Sequence, residues 1–218
     1  MYKLEKNLLS NNHRLRPKGK YVITSITIHS TGNPDSTIDG ERKWLDNPSN
    51  TRSAAWNDIV GEGRVINAIP HGEECWHCGS IYGNRHSIGI ELIESGDRKK
   101  VLETGAEFVA SLLKQYSFNI SDIKKHFDWT GKNCPRILID PKYIKGGMDW
   151  NYFLGRVKAY LDGDEVVEKI RVIVDGKEIE VDRILKDGYN YIKIRDVADL
   201  MGYNISNKGS IPILNKKI

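Results

Sequence analysis

The densest cluster of chemically reactive side chains lies in one short segment, KHFDWTGKNCP, which places His126 and Cys134 eight residues apart. Imidazole nitrogen and thiolate sulfur both suit Zn²⁺, but two ligands make only half a site. His29 offers a third ligand, because it ends a run of β-branched residues that predicts a buried strand. Such a His/His/Cys set leaves one tetrahedral position open, which is typical of a catalytic rather than a structural zinc.

Each of these residues taken singly is more often a packed core side chain than a ligand, so the prediction depends on two further residues. Glu91 lies inside an apolar run, where a carboxylate is costly unless it is paired or functional. Beside Zn²⁺ it could act as general base on water, and Lys132 could stabilise a developing oxyanion. The structural alternative is that Glu91 pairs with a cation such as Arg85 and that Lys132 is solvated surface.

The elements that must position these residues alternate between strands and helices. Apolar periodicity predicts strands over Tyr21–His29 and Ser87–Ile93, and a hairpin of Trp56–Val60 with Arg64–Ala68. It predicts helices over Glu41–Leu45, Thr104–Tyr116 and Asp149–Leu161. The stretch Phe118–Met148 is expected to be mostly a structured loop, which is usually functional. We therefore predict an α/β fold, a central mixed β-sheet flanked by helices.

Composition excludes several classes of protein. The chain has 218 residues, with 33 Lys and Arg against 29 Asp and Glu and no basic run, so nucleic-acid binding is not expected. No apolar run reaches the length of a membrane span, so membrane insertion is not expected either. The first twenty residues do not resemble a signal peptide, and we expect the protein to be cytoplasmic on synthesis.

Three separated motifs, IHSTG at 28–32, GNRHSIGIELI at 83–93 and HFDWTGKNCP at 126–135, together resemble the zinc-dependent N-acetylmuramoyl-L-alanine amidases of the T7-lysozyme and peptidoglycan-recognition-protein type. The resemblance covers roughly Tyr21 to Tyr160. It implies three zinc ligands, which are His29, His126 and Cys134. It also implies that Glu91 and Lys132 are catalytic. It places His77 in the substrate groove and Asn84 and Trp56 at the substrate. Where many relatives have a histidine after the aromatic residue, this chain has Asn57.

The pair Cys75 and Cys78 forms a C-x-x-C motif that allows other interpretations. The residues that follow, GSIYGNRHS, are a poor helix start, unlike a thioredoxin-type oxidoreductase, in which a helix lowers the thiol pKa. A metal site completed by His71, His77 or His86 is a second possibility. Two free thiols are the preferred interpretation.

The polar segment Asp162–Glu168 predicts a boundary between a catalytic domain, 1–163, and a small α+β module, 164–218. In the module we expect a hairpin of Ile170–Val174 with Ile179–Val181 around Asp175-Gly176, and further elements at Tyr191–Ile194 (strand), Arg195–Met201 (helix) and Ile211–Leu214 (strand). The run from Asp187 to Gly202 resembles stalk or copper-amine-oxidase-N-terminal-like modules of Gram-positive surface proteins. Attached to a lysin, the module is expected to bind cell wall; the alternative is dimerisation, giving a homo-oligomer, or added stability.

These expectations combine into one function. The chain is expected to hydrolyse the amide between N-acetylmuramic acid and L-alanine in peptidoglycan, as a phage or prophage endolysin released to the cell wall. A non-catalytic peptidoglycan-binding protein is the alternative, and such members of the family tend to lack the cysteine ligand. A thiol oxidoreductase would depend on Cys75 and Cys78 alone.

Overall fold

The computed structural model describes residues 2–163, 167–186, 189–208 and 211–217. The chain forms two compact units, Met1–Asp162 and Gly163–Ile218. In the part of the chain that the structure describes, every helix is too short or too polar to cross a lipid bilayer.

The first unit is built on a six-stranded mixed sheet. Its strands are β1 (Lys3–Lys6), β2 (Ser25–Ser30), β3 (Asp58–Gly61), β4 (Arg64–Asn67), β5 (Ser87–Leu92) and β6 (Ile123–Lys125), in the spatial order β1-β4-β3-β5-β2-β6. Strands β3, β5, β2 and β6 run parallel to one another, whereas β4 is antiparallel to β3. The carboxyl ends of four strands therefore meet at one edge of the sheet.

Six helices cover this sheet: α1 (Ile38–Asp46), α2 (Ile81–His86), α3 (Arg98–Tyr116), α4 (His126–Thr130), α5 (Arg136–Ile139) and α6 (Trp150–Asp162). Helix α3 packs along the sheet and against α6, and Phe153 and Val157 of α6 are fully buried. The α/β class with a central mixed sheet and flanking helices, predicted from apolar periodicity, is confirmed.

Strand β2 divides its side chains between the two faces of the sheet. Ile26 and Ile28 belong to the apolar core, while Thr27 and His29 point to the opposite face. Because β2 is completely buried, the polar face also has to be covered by protein. This second face carries the candidate site.

Several element boundaries differ from those predicted. Strand β2 begins at Ser25 rather than Tyr21, and α3 begins at Arg98 rather than Thr104, because the Asp97 side chain caps the helix by accepting from the backbone N–H groups of Lys99 and Lys100. The stretch Phe118–Met148, predicted to be mostly loop, also contains a 3₁₀ turn (Ile120–Asp122), β6, α4 and α5 between its loops.

The segment after Cys78, which the sequence indicates to be a poor helix start, does form a helix. Helix α2 begins three residues later, where the Ser80 hydroxyl accepts a hydrogen bond from the backbone N–H of Gly83. A single serine cap thus gives this glycine- and asparagine-containing segment one and a half turns of helix.

The second unit contains three antiparallel strands, β7 (Val167–Val174), β8 (Lys177–Lys186) and β9 (Tyr189–Ile192). Helix α7 (Ile194–Ala198) and a hairpin of β10 (Tyr203–Lys208) with β11 (Ile211–Lys216) follow. The predicted turn at Asp175-Gly176 joins β7 to β8, and both residues have positive φ, 49° and 77°, as a type I′ turn requires.

Strand β10 was not predicted, and α7 ends before the predicted Met201. Residues 164–166 of the predicted boundary and Asp187, the first residue of the C-terminal resemblance, lie outside the described residues. Val181 and Ala198 are the buried apolar residues described in this unit, so its core is small.

Candidate metal centre and active site

Three neighbouring segments bring His29, His126 and Cys134 together. His29 is the penultimate residue of β2, and β6, which pairs with β2, ends one residue before His126. Gly131, in the left-handed conformation, ends α4 and turns the chain back. The backbone N–H of Phe127 then donates to the carbonyl of Cys134, which holds the cysteine beside the histidine.

The ligand atoms of this group converge at short distances. The Nδ1 atom of His29 lies 3.1 Å from Nδ1 of His126 and 3.7 Å from Sγ of Cys134, and all three atoms lie within 4.8 Å of one another. Two ligands of a tetrahedral Zn²⁺ are about 3.3–3.6 Å apart at the usual bond lengths. Among the residues that the structure describes, no other group of three His, Cys, Asp or Glu side chains has this geometry. The donor set therefore fits zinc.

The protonation of the two histidines also suits a cation. Burial, together with the charges of His77, His126 and Lys132, lowers the pKa of His29 well below its usual value. Burial and the Lys132 charge lower the pKa of His126 to about 4. Both imidazoles are thus neutral at physiological pH, which is the form that binds metal. Burial and the Glu91 carboxylate raise the pKa of the Cys134 thiol to about 12, and a bound dication would oppose this effect.

Glu91 lies directly opposite His29 in the register of β5 with β2. Its side chain is buried, and no described residue donates a hydrogen bond to its carboxylate. Burial and the neighbouring Glu41 carboxylate raise the pKa of Glu91, while the Lys132 ammonium lowers it. The structural alternative, an ion pair of Glu91 with Arg85, is wrong, because Arg85 pairs with Glu74 at 3.1 Å.

Lys132 lies in the loop between α4 and Cys134, with its side chain exposed. It lines the same cavity as Glu91, His29 and Cys134. Its charge acts on Glu91 and on both histidine ligands. An ammonium group is thus available beside the ligand cluster, at the solvent side.

These residues form the floor of a cavity of about 400 Å³. Trp56 lines its wall and stacks on Trp44, with ring centroids 5.2 Å apart and planes 15° from parallel. Glu41 and Arg52 complete a polar part of the wall. Sequence reasoning missed Glu41 and Trp44, although their i, i+3 spacing on α1 places them on one side of the helix. Burial raises the pKa of Glu41 to about 7.

Comparison with known proteins decides the family. The family model of N-acetylmuramoyl-L-alanine amidase matches residues 19–137. This chain belongs to that amidase family.

Two curated relatives of the amidase domain come from Bacillus subtilis. The chain is 38% identical over 152 residues to the N-acetylmuramoyl-L-alanine amidase CwlA of Bacillus subtilis, covering 66% of this chain and 55% of the relative. It is 32% identical over 187 residues to XlyB of the same organism, covering 82% of this chain and 56% of the relative. The chain therefore spans little more than half the length of these relatives.

A solved structure, a mutant endolysin from Bacillus subtilis, superposes on the amidase with a TM-score of 0.65 and 26% identity. The superposition covers 72% of this chain and 99% of the endolysin chain. The amidase fold thus accounts for a part of the chain comparable in size to the first unit.

The remaining predicted substrate residues of the amidase lie in different places. Trp56 is on the cavity wall, and His77 also lines the cavity beside His29, although only 8% of its surface is exposed. The amide oxygen of Asn84 accepts from the backbone N–H groups of His77 and Cys78, and Asn84 is not part of the cavity wall. The structure thus brings Trp56 and His77 to the cavity and places Asn84 in helix α2.

Cys75 and Cys78 are free and buried. Neither belongs to the ligand cluster found among the described residues, so the accessory metal site with His71, His77 or His86 is not formed. Burial raises the pKa of both thiols, most strongly that of Cys75. A redox pair needs a thiol whose pKa is lowered, so the two side chains act as small core residues.

Proposed function

We propose that this chain is a zinc-dependent hydrolase of the amide bond between N-acetylmuramic acid and L-alanine in peptidoglycan. One observation carries the proposal. A buried His/His/Cys cluster with converging ligand atoms lies beside Glu91 in an open cavity, in a chain of the amidase family. His29, His126 and Cys134 are the proposed ligands.

Zn²⁺ bound there would polarise the substrate carbonyl and lower the pKa of a coordinated water to about 7. Glu91 takes the proton as the water oxygen bonds to the carbonyl carbon. It then passes the proton to the alanine nitrogen as the C–N bond breaks, so the same carboxylate serves as base and as acid. Its position opposite His29 places it beside the proposed metal, and its raised pKa suits proton transfer in both directions.

Lys132 and Trp56 have separate proposed roles. The Lys132 ammonium stabilises the negative charge that develops on the carbonyl oxygen, because it lines the cavity beside the ligand cluster. The Trp56 ring, fixed by stacking on Trp44, offers an apolar wall for the sugar or stem peptide. We also propose that His77, which lines the cavity, borders the bound substrate, and that Asn84 acts indirectly by holding the backbone of His77 and Cys78.

The setting of the reaction follows from the substrate. We propose that the enzyme acts at the bacterial cell wall as a phage or prophage endolysin and that the second unit binds the wall. The alternative of a non-catalytic peptidoglycan-binding protein is not favoured, because Cys134 lies with both histidines in a complete ligand set.

The test is digestion of purified cell walls by the zinc-loaded protein, followed by chemical identification of the new ends. We expect new L-alanine amino termini without new reducing sugars, and no such termini from the matched Glu91→Gln variant. New reducing ends would instead identify a glycosidase. Binding to walls without any new ends would identify a binding protein.

A further inference from the structure

A chain of hydrogen bonds connects the candidate metal centre to strand β5 through His77, which also lines the cavity. The Nε2 atom of His29 is 2.9 Å from Nδ1 of His77, and Nε2 of His77 is 3.2 Å from the carbonyl oxygen of Ser87. The two imidazole rings meet edge to face, at 88°. Both side chains are buried, so water does not compete for these contacts.

The Ser87 carbonyl, at the end of this series of hydrogen bonds, determines which ring nitrogens of His77 and His29 carry protons. A carbonyl oxygen only accepts, so Nε2 of His77 must carry a proton and donate it to Ser87. In a neutral imidazole the other nitrogen, Nδ1, is then an acceptor. The hydrogen bond to His29 is therefore donated by Nε2–H of His29. The lone pair of His29 remains on Nδ1, the atom that faces His126 and Cys134.

We propose that His77 is a positioning residue that selects the tautomer and ring orientation of His29 for metal binding. The inference rests on the proposed metal site. Metal-bound histidines usually donate their second N–H to a carboxylate, a backbone carbonyl or water, which fixes ring and tautomer. Here the acceptor is the neutral imidazole of His77. The backbone carbonyl of Ser87 on β5 fixes the orientation of His77, and His77 in turn fixes that of His29 on β2, without adding a charge.

Gly89 leaves the space that the His77 ring occupies against β5. A Cβ atom at Gly89, on the same face of β5 as Ser87 and Glu91, would lie 2.7 Å from Cγ of His77. The His77 ring thus lies directly against the strand because residue 89 has no side chain. The backbone N–H of His77 is held from the other side by Oδ1 of Asn84, at 3.1 Å.

The experiment compares wild type with His77→Asn and His77→Leu in the full chain. The amide oxygen of asparagine can replace Nδ1 as an acceptor for His29, whereas leucine fills the space without accepting. Competition with a chelator measures zinc affinity, and we expect a loss of about 10–100-fold for His77→Leu. We expect His77→Asn to keep most of the affinity. The tautomer can also be measured directly: in ¹⁵N NMR spectra of the zinc-free wild type, we expect the imidazole of His29 to carry its proton on Nε2.

Two results would overturn the proposal: zinc affinity unchanged in a folded His77→Leu protein, or equal losses in both variants, which would indicate packing alone. If His77→Leu does not fold, the NMR experiment decides, because a proton on Nδ1 of His29 in the wild type contradicts the proposed tautomer. Absence of zinc binding by the wild type would instead refute the proposed function, so the two failures are distinguishable.

Discussion

At the scale of single residues, the site depends on polar groups that the fold removes from water. A buried carboxylate without a hydrogen-bond donor is destabilising, and native proteins retain such groups mainly where they have a function. Glu91 is such a group, and the ligand cluster beside it consists of side chains with strongly displaced pKa values. These residues are therefore the first to test.

Replacing any one proposed ligand, His29, His126 or Cys134, by alanine should abolish both zinc retention and wall lysis. Two remaining ligands hold zinc far more weakly than three, since each supplies one of the few bonds to the ion. Metal analysis of the purified protein measures the retention. The matched control is Cys75→Ala, a buried cysteine outside the cluster, which should keep zinc and activity. Full zinc occupancy in Cys134→Ala would remove the proposed site.

Glu91→Gln should keep zinc and fold while lowering turnover by roughly 10²–10⁴, the usual contribution of a positioned general base. Lys132→Ala should also keep zinc and lose on the order of 10²–10³, as for a lost oxyanion donor. Rates on soluble muropeptides, with zinc content and circular dichroism, separate these effects. If the Glu91→Gln protein is largely unfolded but its folded fraction has normal activity, Glu91 has a structural rather than a catalytic role.

A second titrating group affects stability rather than chemistry. His71 lies 2.7 Å from Asp58, which is completely buried at the start of β3, and its other nitrogen lies 3.1 Å from the Tyr116 hydroxyl. Burial lowers the pKa of His71, but the charge and hydrogen bond of Asp58 outweigh it, so the net pKa is raised.

The sign of the pH dependence follows from this raised pKa. The stabilisation is complete below the pKa of His71 in the unfolded chain, about 6.5, and is lost as pH rises through the higher folded value. We expect urea unfolding at a series of pH values to show a decline of stability above neutrality. That decline should be smaller in His71→Asn, and equal declines in both proteins would contradict the assignment.

At the scale of elements, side chains and loops also pack against the polar face of the parallel strands, around the cavity. Gly89 allows His77 to lie against β5, and the Trp129 indole N–H donates to the Thr27 hydroxyl of β2 at 2.9 Å. The carboxylate of Glu94, just after β5, accepts from the backbone N–H of Gly32 and pairs with Arg136 at 2.6 Å. These contacts tie the loops around the site to the ends of β2 and β5.

Gly89→Ala should destabilise the protein by about 1–3 kcal/mol, the usual cost of overpacking. The added methyl group meets the buried His77 ring, which cannot move without breaking its hydrogen bonds. Thermal or urea unfolding measures the change. Gly155→Ala, in the interior of α6 with open space around it, is the matched control and should stabilise by up to about 1 kcal/mol. Equal effects at the two positions would show that Gly89 is not needed for space.

At the scale of the whole molecule, the two units differ in how much core each contains. The large apolar cluster consists entirely of residues from the first unit, and all proposed ligands and catalytic residues lie there too. The second unit exposes large apolar side chains, among them Ile173, Tyr189 and Met201. The first unit thus has its own apolar core, as an independently folding domain requires.

A chain shortened to end at Asp162 should fold, bind zinc and cleave soluble muropeptides at close to the full-length rate. On intact walls it should be slower, because a wall-binding unit raises the local enzyme concentration at an insoluble substrate. Turbidity of wall suspensions and release of soluble fragments measure the two rates.

The matched experiment fuses the second unit to a soluble carrier, which should then sediment with cell walls. Equal lysis by both chain lengths, together with no sedimentation of the fusion, would contradict wall binding. A drop in solution mass greater than that of the removed segment would identify the second unit as a dimerisation element.

The sequence alone predicted the family and the α/β class, and it singled out His29, Glu91, His126, Lys132 and Cys134, which the structure brings to one cavity. The reason is that three motifs keep their residue types and their order, and that apolar periodicity follows directly from strand and helix geometry. It also determined the hairpin at Asp175-Gly176, since a type I′ turn depends on those two residues themselves.

Tertiary structure alone decided the contacts between distant segments. Local periodicity does not specify which strands pair, so the opposition of His29 to Glu91 and the parallel pairing of β1 with β4 were not readable from the chain. The same holds for the contact of His77 with His29 and for the presence of Glu41 in the cavity. Burial and hydrogen bonding across the sheet set the tautomers and pKa values of these groups, and both depend on residues far away in sequence.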